Sequence, residues 1–131
     1  MEFGQDAATN GIPHVLVVDD TEVIRVMLCD MLAALGCTVA AFSSGQAVLE
    51  HVAGGAGFNF IMMDCQMPQM DGLETTRRLL QEHPDRDIQV VAISAHGSHT
   101  DQIQQREAGM TEHLNKPFRL KELQALLSRM G

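Results

Sequence analysis

Five polar side chains with complementary chemistry stand where short apolar segments of the sequence end. Asp19 and Asp20 follow the first apolar run, Asp64 the third, Ser94 the fourth, and Lys116 comes after the fifth. Three carboxylates gathered at one place repel each other, and a hard divalent cation such as Mg²⁺, shared with a phosphate, relieves that repulsion. One carboxylate is then free to attack phosphorus, while the ammonium neutralises the phosphoryl group and the hydroxyl donates a hydrogen bond to it. The set predicts phosphoryl transfer onto an aspartate.

Taken one at a time, these residues also have structural interpretations. Asp64 fits an ordinary loop acid, the Asp19–Asp20 pair a turn that ends a strand, Ser94 a helix or turn cap, and Lys116 a surface charge. One polar residue after a strand is common by chance. Five such residues after four of the strands are not, and this favours the functional interpretation.

The elements that must position these residues alternate strictly between two periodicities. Short apolar runs predict strands buried on both faces, and segments with apolar residues at helical spacing separate them. The predicted strands are 14–18, 38–42, 58–63, 88–93 and 112–115, and the predicted helices are 21–35, 46–52, 72–82, 100–108 and 120–130.

Five βα units predict an α/β fold, a doubly wound parallel five-stranded sheet of the flavodoxin-like order 2-1-3-4-5. They are too few for an eight-stranded barrel. The open sheet brings the carboxyl ends of its strands to one edge, which is where such folds bind ligands. At the helix ends, Thr21 and Asp71 are predicted N-caps, and Gly36 is predicted to end the first helix.

Composition and charge narrow the class of protein. The 131 residues include 9 Lys and Arg against 17 Asp and Glu, a formal net charge of −8, which disfavours nucleic-acid binding. The three cysteines have no C-x-x-C spacing, so a disulfide framework and a zinc site are disfavoured and a reducing cytosol is favoured. No apolar stretch approaches the roughly 18 residues that span a bilayer. Residues 1–12 are predicted to be a flexible lead-in and residues 13–131 one domain.

Four segments resemble the signature segments of response-regulator receiver domains. They are Val-Leu-Val-Val-Asp-Asp ending at Asp20, Met-Asp-Cys-Gln-Met-Pro-Gln-Met-Asp-Gly containing Asp64, Ala-Ile-Ser-Ala around Ser94, and Asn-Lys-Pro-Phe around Lys116. The resemblance covers about residues 13–130, and the D-x-x-M-P-x-M-D-G stretch is its most specific part. It implies a phosphoprotein of a two-component or phosphorelay system.

The resemblance also implies a role for individual residues. Asp64 would be the phosphoacceptor and a ligand of Mg²⁺, for which Mn²⁺ is a substitute. Asp20 would bind the ion directly, Asp19 through water or by positioning, and Gln66 through its backbone carbonyl.

Further implied roles concern the switch and the lysine. Ser94 and Lys116 would contact the phosphoryl group, and Pro117 would follow a cis peptide bond. The residue three before the lysine, usually Tyr or Phe in the family, is His113 here. This departure leaves open how a switch involving Ser94 and His113 would reach the surface. Gln66 occupies the position whose side chain tunes hydrolysis of the aspartyl phosphate.

The implied partner is a histidine kinase or a histidine phosphotransfer domain that donates from a phosphohistidine. Phosphorylation would then change the surface around the fourth helix, fifth strand and fifth helix. The wording of the motifs favours a receiver of the kind attached to hybrid sensor kinases, in the cytoplasm or in the cytoplasmic part of a membrane-bound kinase. The chain leaves no room for an output domain after its last helix, so a stand-alone receiver or an excised domain is expected.

Other functions of the same fold are less well supported. A receiver-like module that no longer takes phosphate would lack a site residue, and none is missing. A hydrolase of the aspartyl-phosphate type would need an acid where Gln66 stands. A flavin site would place phosphate against Asp19 and Asp20, which repel it without a metal. His96 and His99 have a spacing compatible with a metal but are better explained as solvated loop residues, and Cys65 has no sign of a lowered pKa.

Overall fold

A computed structural model of the chain describes residues 12–95 and 99–130, with the side chains at positions 99 and 100 left out. The predicted lead-in therefore lies almost wholly outside the described residues, as do His96 and the side chain of His99. No helix in the described ranges is both long and apolar enough to cross a membrane.

Five parallel strands form one sheet in the order β2-β1-β3-β4-β5, so the predicted fold is confirmed. The strands are β1 (His14–Val18), β2 (Thr38–Phe42), β3 (Phe60–Asp64), β4 (Val90–Ser94) and β5 (Glu112–Asn115). The helices are α1 (Glu22–Ala34), α2 (Gly45–Ala53), α3 (Gly72–Glu82), α4 (His99–Ala108) and α5 (Leu120–Met130).

The core lies on both faces of the sheet because successive residues of a strand point to opposite sides. In β1, Val15 and Val17 belong to the cluster that includes buried residues of α1 and α5. Leu16 and Val18 belong to the cluster that includes buried residues of α2 and α3. Strands β3 and β4 are buried along their whole length, as the continuous apolar runs predict.

Two predicted strands are displaced along the chain, and the displacement matters for the site. Strands β3 and β4 begin two residues later than predicted, and each continues one residue further to include Asp64 and Ser94. In the ladders, Asp64 pairs with Ile93 and Ser94 pairs with Asn115. The sheet, not a loop, therefore holds the backbone of both residues.

The three residues predicted at helix ends stand at those ends, but they interact with the backbone there in different ways. Asp71 caps α3, since its Oδ1 accepts a hydrogen bond from the Glu74 backbone N–H at 2.9 Å. Gly36 follows the end of α1 with a φ of +91°, a conformation that glycine adopts without strain. Thr21 stands at the N-cap of α1, but its side chain makes no capping hydrogen bond.

Gly72, the first residue of α3, packs its Cα against the end of β3. A Cβ at this position would lie 2.2 Å from the backbone oxygen of Asp64. Both groups are backbone, so neither can rotate away.

We therefore expect Gly72→Ala to lower the free energy of unfolding by about 1–3 kcal/mol, the usual cost of forcing extra volume into a packed site. Urea unfolding followed by circular dichroism measures it. Gly54→Ala is the matched control, because a Cβ there would make only ordinary contacts of 3.4 Å or more. Equal stability of the two variants would contradict the proposed close approach.

Candidate functional site

A lysine and two buried carboxylates meet at the carboxyl edge of the sheet. Lys116 Nζ lies 3.0 Å from Asp19 Oδ2 and 3.4 Å from Asp64 Oδ1. The side chain of Asp19 is fully buried, that of Asp64 is 4% exposed and that of Lys116 is 20% exposed. Burying carboxylates is costly unless they are paired, and one ammonium here serves both.

A third carboxylate, Asp20, completes an acidic cluster at the same edge. One oxygen from each of Asp19, Asp20 and Asp64 lies within 4.8 Å of the others. Unlike its two neighbours, Asp20 is exposed, so it faces any ion that arrives from solvent. The structure thus brings together the three acids and the lysine that the sequence singled out.

The segment between β1 and α1 is held in place through Asp19. The Asp19 backbone N–H donates to the Phe42 carbonyl at 3.1 Å, and its Oδ1 accepts from the Thr21 N–H at 2.8 Å. The Arg25 guanidinium donates from Nη1 to the Asp19 carbonyl at 2.7 Å. The contact of Arg25 was not foreseen from the sequence, where an arginine on a predicted helix carries no distinguishing signal.

Backbone hydrogen bonds of the next two residues fix the position of Asp64, and the pKa of its carboxyl group is raised. Its Oδ1 accepts from the Gln66 backbone N–H at 3.2 Å, and the next residue bonds across the ladder to Ile93. Burial raises the pKa of Asp64 to about 6, and the negative charge of Asp19 adds to the rise, although Gln66 and Lys116 oppose it. Burial lowers the pKa of Lys116, but its contacts with Asp19 and Asp64 outweigh burial and leave that pKa raised.

Ser94 and Lys116 are fixed relative to each other by the β4–β5 ladder. Ser94 is buried at the end of β4, and its carbonyl accepts from the Lys116 backbone N–H at 2.8 Å. The peptide bond between Lys116 and Pro117 is cis, as the resemblance implies.

The donor set fits a hard divalent cation. Asp19 Oδ2 is buried and, among the described residues, has the ion pair with Lys116 Nζ at 3.0 Å but no further hydrogen bond. A buried carboxylate oxygen left in this way is a ready ligand. Carboxylate oxygens are the ligands that Mg²⁺ prefers.

His113 is bound at both ring nitrogens. Nδ1 lies 2.8 Å from Gln105 Oε1, and Nε2 lies 2.6 Å from Asn115 Oδ1. Sequence reasoning named His113 but missed Gln105, which is 4% exposed. The only sequence signal for its burial was its position three residues before Ala108, which places the two residues on the same face of the helix.

Cys65, next to Asp64, is not a reactive thiol. Burial raises its pKa to about 12, and the charges of Asp64 and Asp71 contribute to the rise. Because the thiolate is the reactive form, this cysteine is inert at neutral pH.

Comparison with known proteins defines the class to which this fold and site belong. The family model for the response regulator receiver domain matches residues 15–128, and the chain belongs to that family.

Individual relatives agree with this assignment. The chain is 35% identical over 125 residues to hybrid signal transduction histidine kinase E of Dictyostelium discoideum, covering 91% of this chain and 7% of that protein. It is similar to the chemotaxis protein CheY4 of Vibrio cholerae, with 28% identity, a TM-score of 0.85, and 92% and 99% of the two chains covered.

The receiver domain of sensor histidine kinase PA1611 from Pseudomonas aeruginosa PAO1 is 30% identical, with a TM-score of 0.81 and 91% and 97% of the two chains covered. That structure has a magnesium ion coordinated in its active-site cleft. The chain spans only 6–7% of the length of the Dictyostelium hybrid kinases that it matches.

The raised pKa of Asp64 makes a prediction about stability. The folded-state pKa of about 6 lies above the ordinary value of 3.8. At pH values between these two, the folded chain therefore binds more protons than the unfolded chain. The free energy of unfolding therefore falls as pH rises from about 4 to about 6, and the loss persists at neutral pH. We expect Asp64→Asn to raise the free energy of unfolding at neutral pH by about 1–3 kcal/mol in metal-free buffer.

Urea unfolding with a chelator, at mildly acidic and at neutral pH, measures the effect. Asp30→Asn is the control, because Asp30 is exposed on α1 and is expected to change stability by less than about 0.5 kcal/mol. A loss of stability in Asp64→Asn at neutral pH would show that the ion pair outweighs the burial of the charge.

Proposed function

We propose that this receiver domain takes a phosphoryl group onto Asp64 from a phosphohistidine of a partner protein, in a reaction that requires Mg²⁺. The observation that carries the proposal is the contact of one lysine ammonium with two buried carboxylates beside a third, exposed one. That arrangement binds a doubly charged group and a divalent cation together better than either alone.

Asp64 is the nucleophile in this proposal because, of the three acids, it is the one that lies within a strand, at the end of the central strand β3. The contacts of Gln66 and Lys116 both fall on its Oδ1, so we assign the attack to Oδ2. An O–P bond forms as the N–P bond of the phosphohistidine breaks; the N–P electron pair stays on that ring nitrogen, and the imidazole leaves neutral because the other ring nitrogen of the phosphohistidine carries the proton. The product is an aspartyl phosphate.

The residues that would hold Mg²⁺ are Asp20 directly, Asp19 through water or by positioning, Asp64, and the carbonyl of Gln66. When bound, Mg²⁺ or its substitute Mn²⁺ offsets the repulsion among the carboxylates and the incoming phosphoryl oxygens. The donor set supports this assignment, since Asp19 Oδ2 is buried without a hydrogen bond among the described residues.

Lys116 and Ser94 act on the phosphoryl group itself. Lys116 Nζ already lies against Asp64, so its charge stabilises the negative oxygens that arrive there. Ser94 ends the neighbouring strand, and its hydroxyl donates a hydrogen bond to one of those oxygens. The chain thus promotes its own phosphorylation and dephosphorylation, and Gln66, in place of the acid that a hydrolase of the aspartyl-phosphate type needs, argues against turnover of small substrates.

The partner is a histidine kinase or a histidine phosphotransfer domain, and the phosphorylated state is read from the surface formed by α4, β5 and α5. The similarity to hybrid kinases supports this assignment. His113, bound to Gln105 and Asn115, connects β5 of that surface with α4.

The first test is the intact mass after incubation with Mg²⁺ and phosphoramidate. We expect one phosphoryl adduct on the wild-type chain, lost when Mg²⁺ is chelated and lost in Asp64→Asn. Asp71→Asn is the matched control, because Asn caps a helix as well as Asp does, and it should be phosphorylated normally.

Two results would count against the proposal. An adduct that persists in Asp64→Asn would place the phosphoryl group elsewhere. No adduct on the wild-type chain, with a donor active on another receiver, would favour a module that works without phosphate.

The second test concerns the metal. Binding to the folded state alone raises the free energy of unfolding, by about 1.4 kcal/mol when Mg²⁺ is at ten times its dissociation constant. We expect Asp20→Asn to abolish this gain while leaving the metal-free fold intact, because Asp20 is exposed. Thermal unfolding with increasing Mg²⁺ measures it, with Asp30→Asn as the control that keeps the gain. An undiminished gain in Asp20→Asn would remove Asp20 from the ligand set.

A further inference from the structure

Asp20, the exposed acid of the site, lies in the short bend between β1 and α1 and belongs to neither element. Asp64, by contrast, is part of a strand. A ligand of a cation binds best when it is held in the productive position before the ion arrives, because binding then costs less conformational entropy. The bend that carries Asp20 therefore needs supports other than the sheet.

The two peptide groups on either side of Asp20 are both hydrogen-bonded. On the amino side, the Asp19 carbonyl accepts from Arg25 Nη1 at 2.7 Å. On the carboxyl side, the Thr21 N–H donates to Asp19 Oδ1 at 2.8 Å. Each peptide group is a rigid plane, so fixing one atom in each plane restricts the backbone dihedral angles of the residue between them. Asp20 is thus positioned through the backbone of its neighbours.

Arg25 is well placed to hold this peptide group. It lies at the start of α1, where its backbone N–H donates to the Thr21 carbonyl at 3.1 Å, and it is half-buried. Thr21 itself makes no side-chain capping bond, so the side chain of Arg25 is the group that reaches from the first turn of α1 back to the end of β1. A guanidinium stays protonated in proteins, and the bond is therefore not lost by titration.

We propose that Arg25 is a positioning residue for the Mg²⁺ site. Its guanidinium fixes the peptide group between Asp19 and Asp20, and this holds the Asp20 carboxylate where it binds the ion. Arg25 is not a ligand, since a cationic side chain repels a cation. The inference rests on the proposed function and adds to it a residue that the sequence did not mark.

The charge of Arg25 gives the inference a definite sign. A positive charge beside a cation site opposes binding, so if Arg25 acted by charge alone, its removal would strengthen Mg²⁺ binding. If Arg25 acts by positioning, its removal weakens Mg²⁺ binding, as the loss of groups that orient metal ligands does by about 10–100-fold. The direction of the change in the dissociation constant therefore separates the two roles.

The test compares Arg25→Met with Arg77→Met. Methionine keeps an unbranched apolar stem and removes the charge and the donors of arginine. Arg77 is exposed on α3, where its ion pair with Glu74 is exposed and contributes little, so it is a matched control for the loss of one charge. Thermal unfolding with increasing Mg²⁺ gives the dissociation constant without any phosphorylation. We expect it to rise about tenfold in Arg25→Met and to stay within about twofold in Arg77→Met.

Phosphorylation by phosphoramidate, followed by intact mass, provides a second readout. The Mg²⁺ concentration for half-maximal rate should rise in Arg25→Met as the dissociation constant does. The maximal rate at saturating Mg²⁺ should stay within about threefold of wild type, because Asp64 and Lys116 are untouched and the loss is one of binding. A merely structural role would lower the melting temperature of the metal-free chain and leave the dissociation constant of Mg²⁺ unchanged.

Arg25→Lys keeps the test decisive if Arg25→Met does not fold. Lysine retains the positive charge but has a shorter reach and lacks the planar fork of donors. Positioning predicts a dissociation constant for Mg²⁺ above that of the wild type and, where both variants fold, below that of Arg25→Met. Action by charge alone predicts no change in Arg25→Lys.

A dissociation constant in Arg25→Met that is lower than that of the wild type, or within about twofold of it, would overturn the inference. A wild-type chain that Mg²⁺ does not stabilise would instead overturn the metal site of the proposed function, and this inference with it. A wild-type chain that binds Mg²⁺ but takes no phosphoryl group would overturn the proposed phosphoryl transfer alone, and the Mg²⁺ titration would still decide the role of Arg25.

Discussion

The site depends on burying two carboxylates around a single ammonium. Asp19 and Asp64 are removed from water at the ends of adjacent strands, and Lys116 is the cation that both of them contact. Burial raises the pKa of Asp64, and the charge of Asp19 adds to the rise because one ammonium does not balance two buried carboxylates. The fold accepts this cost at the edge of the sheet where a ligand can relieve it. A ligand that adds positive charge at this edge of the sheet therefore completes the charge balance of the site.

Most of the local architecture follows from the amino acids nearby. Close approach of α3 to β3 needs Gly72, the first turn of α3 needs an acceptor such as Asp71, and α1 ends where Gly36 adopts a positive φ. Each requirement is met by the residue type with the matching conformational freedom or hydrogen-bonding capacity. Local and global preferences therefore agree around the site.

The sequence was sufficient for the order of the elements and for a parallel doubly wound sheet, because apolar periodicity and βα alternation leave few topologies. It was also sufficient to single out the acids and the lysine, since each follows a predicted strand.

The sequence failed at the starts of β3 and β4, because Phe58 and Ile88 are buried but lie before the strands begin. It also missed Gln105, whose partner His113 comes from another element. Apolar patterns report burial, and neither pairing nor a polar contact across elements can be derived from burial alone.

The different anchoring of β3 and α4 has a mechanical consequence. Strand β3 is buried along its length and paired on both sides, so it is stiff where Asp64 lies. Helix α4, which among its described side chains buries one amide and one alanine, is compliant, because few apolar contacts resist its displacement. Stress introduced at the end of β3 would be transmitted by the stiff part and relaxed by the compliant one.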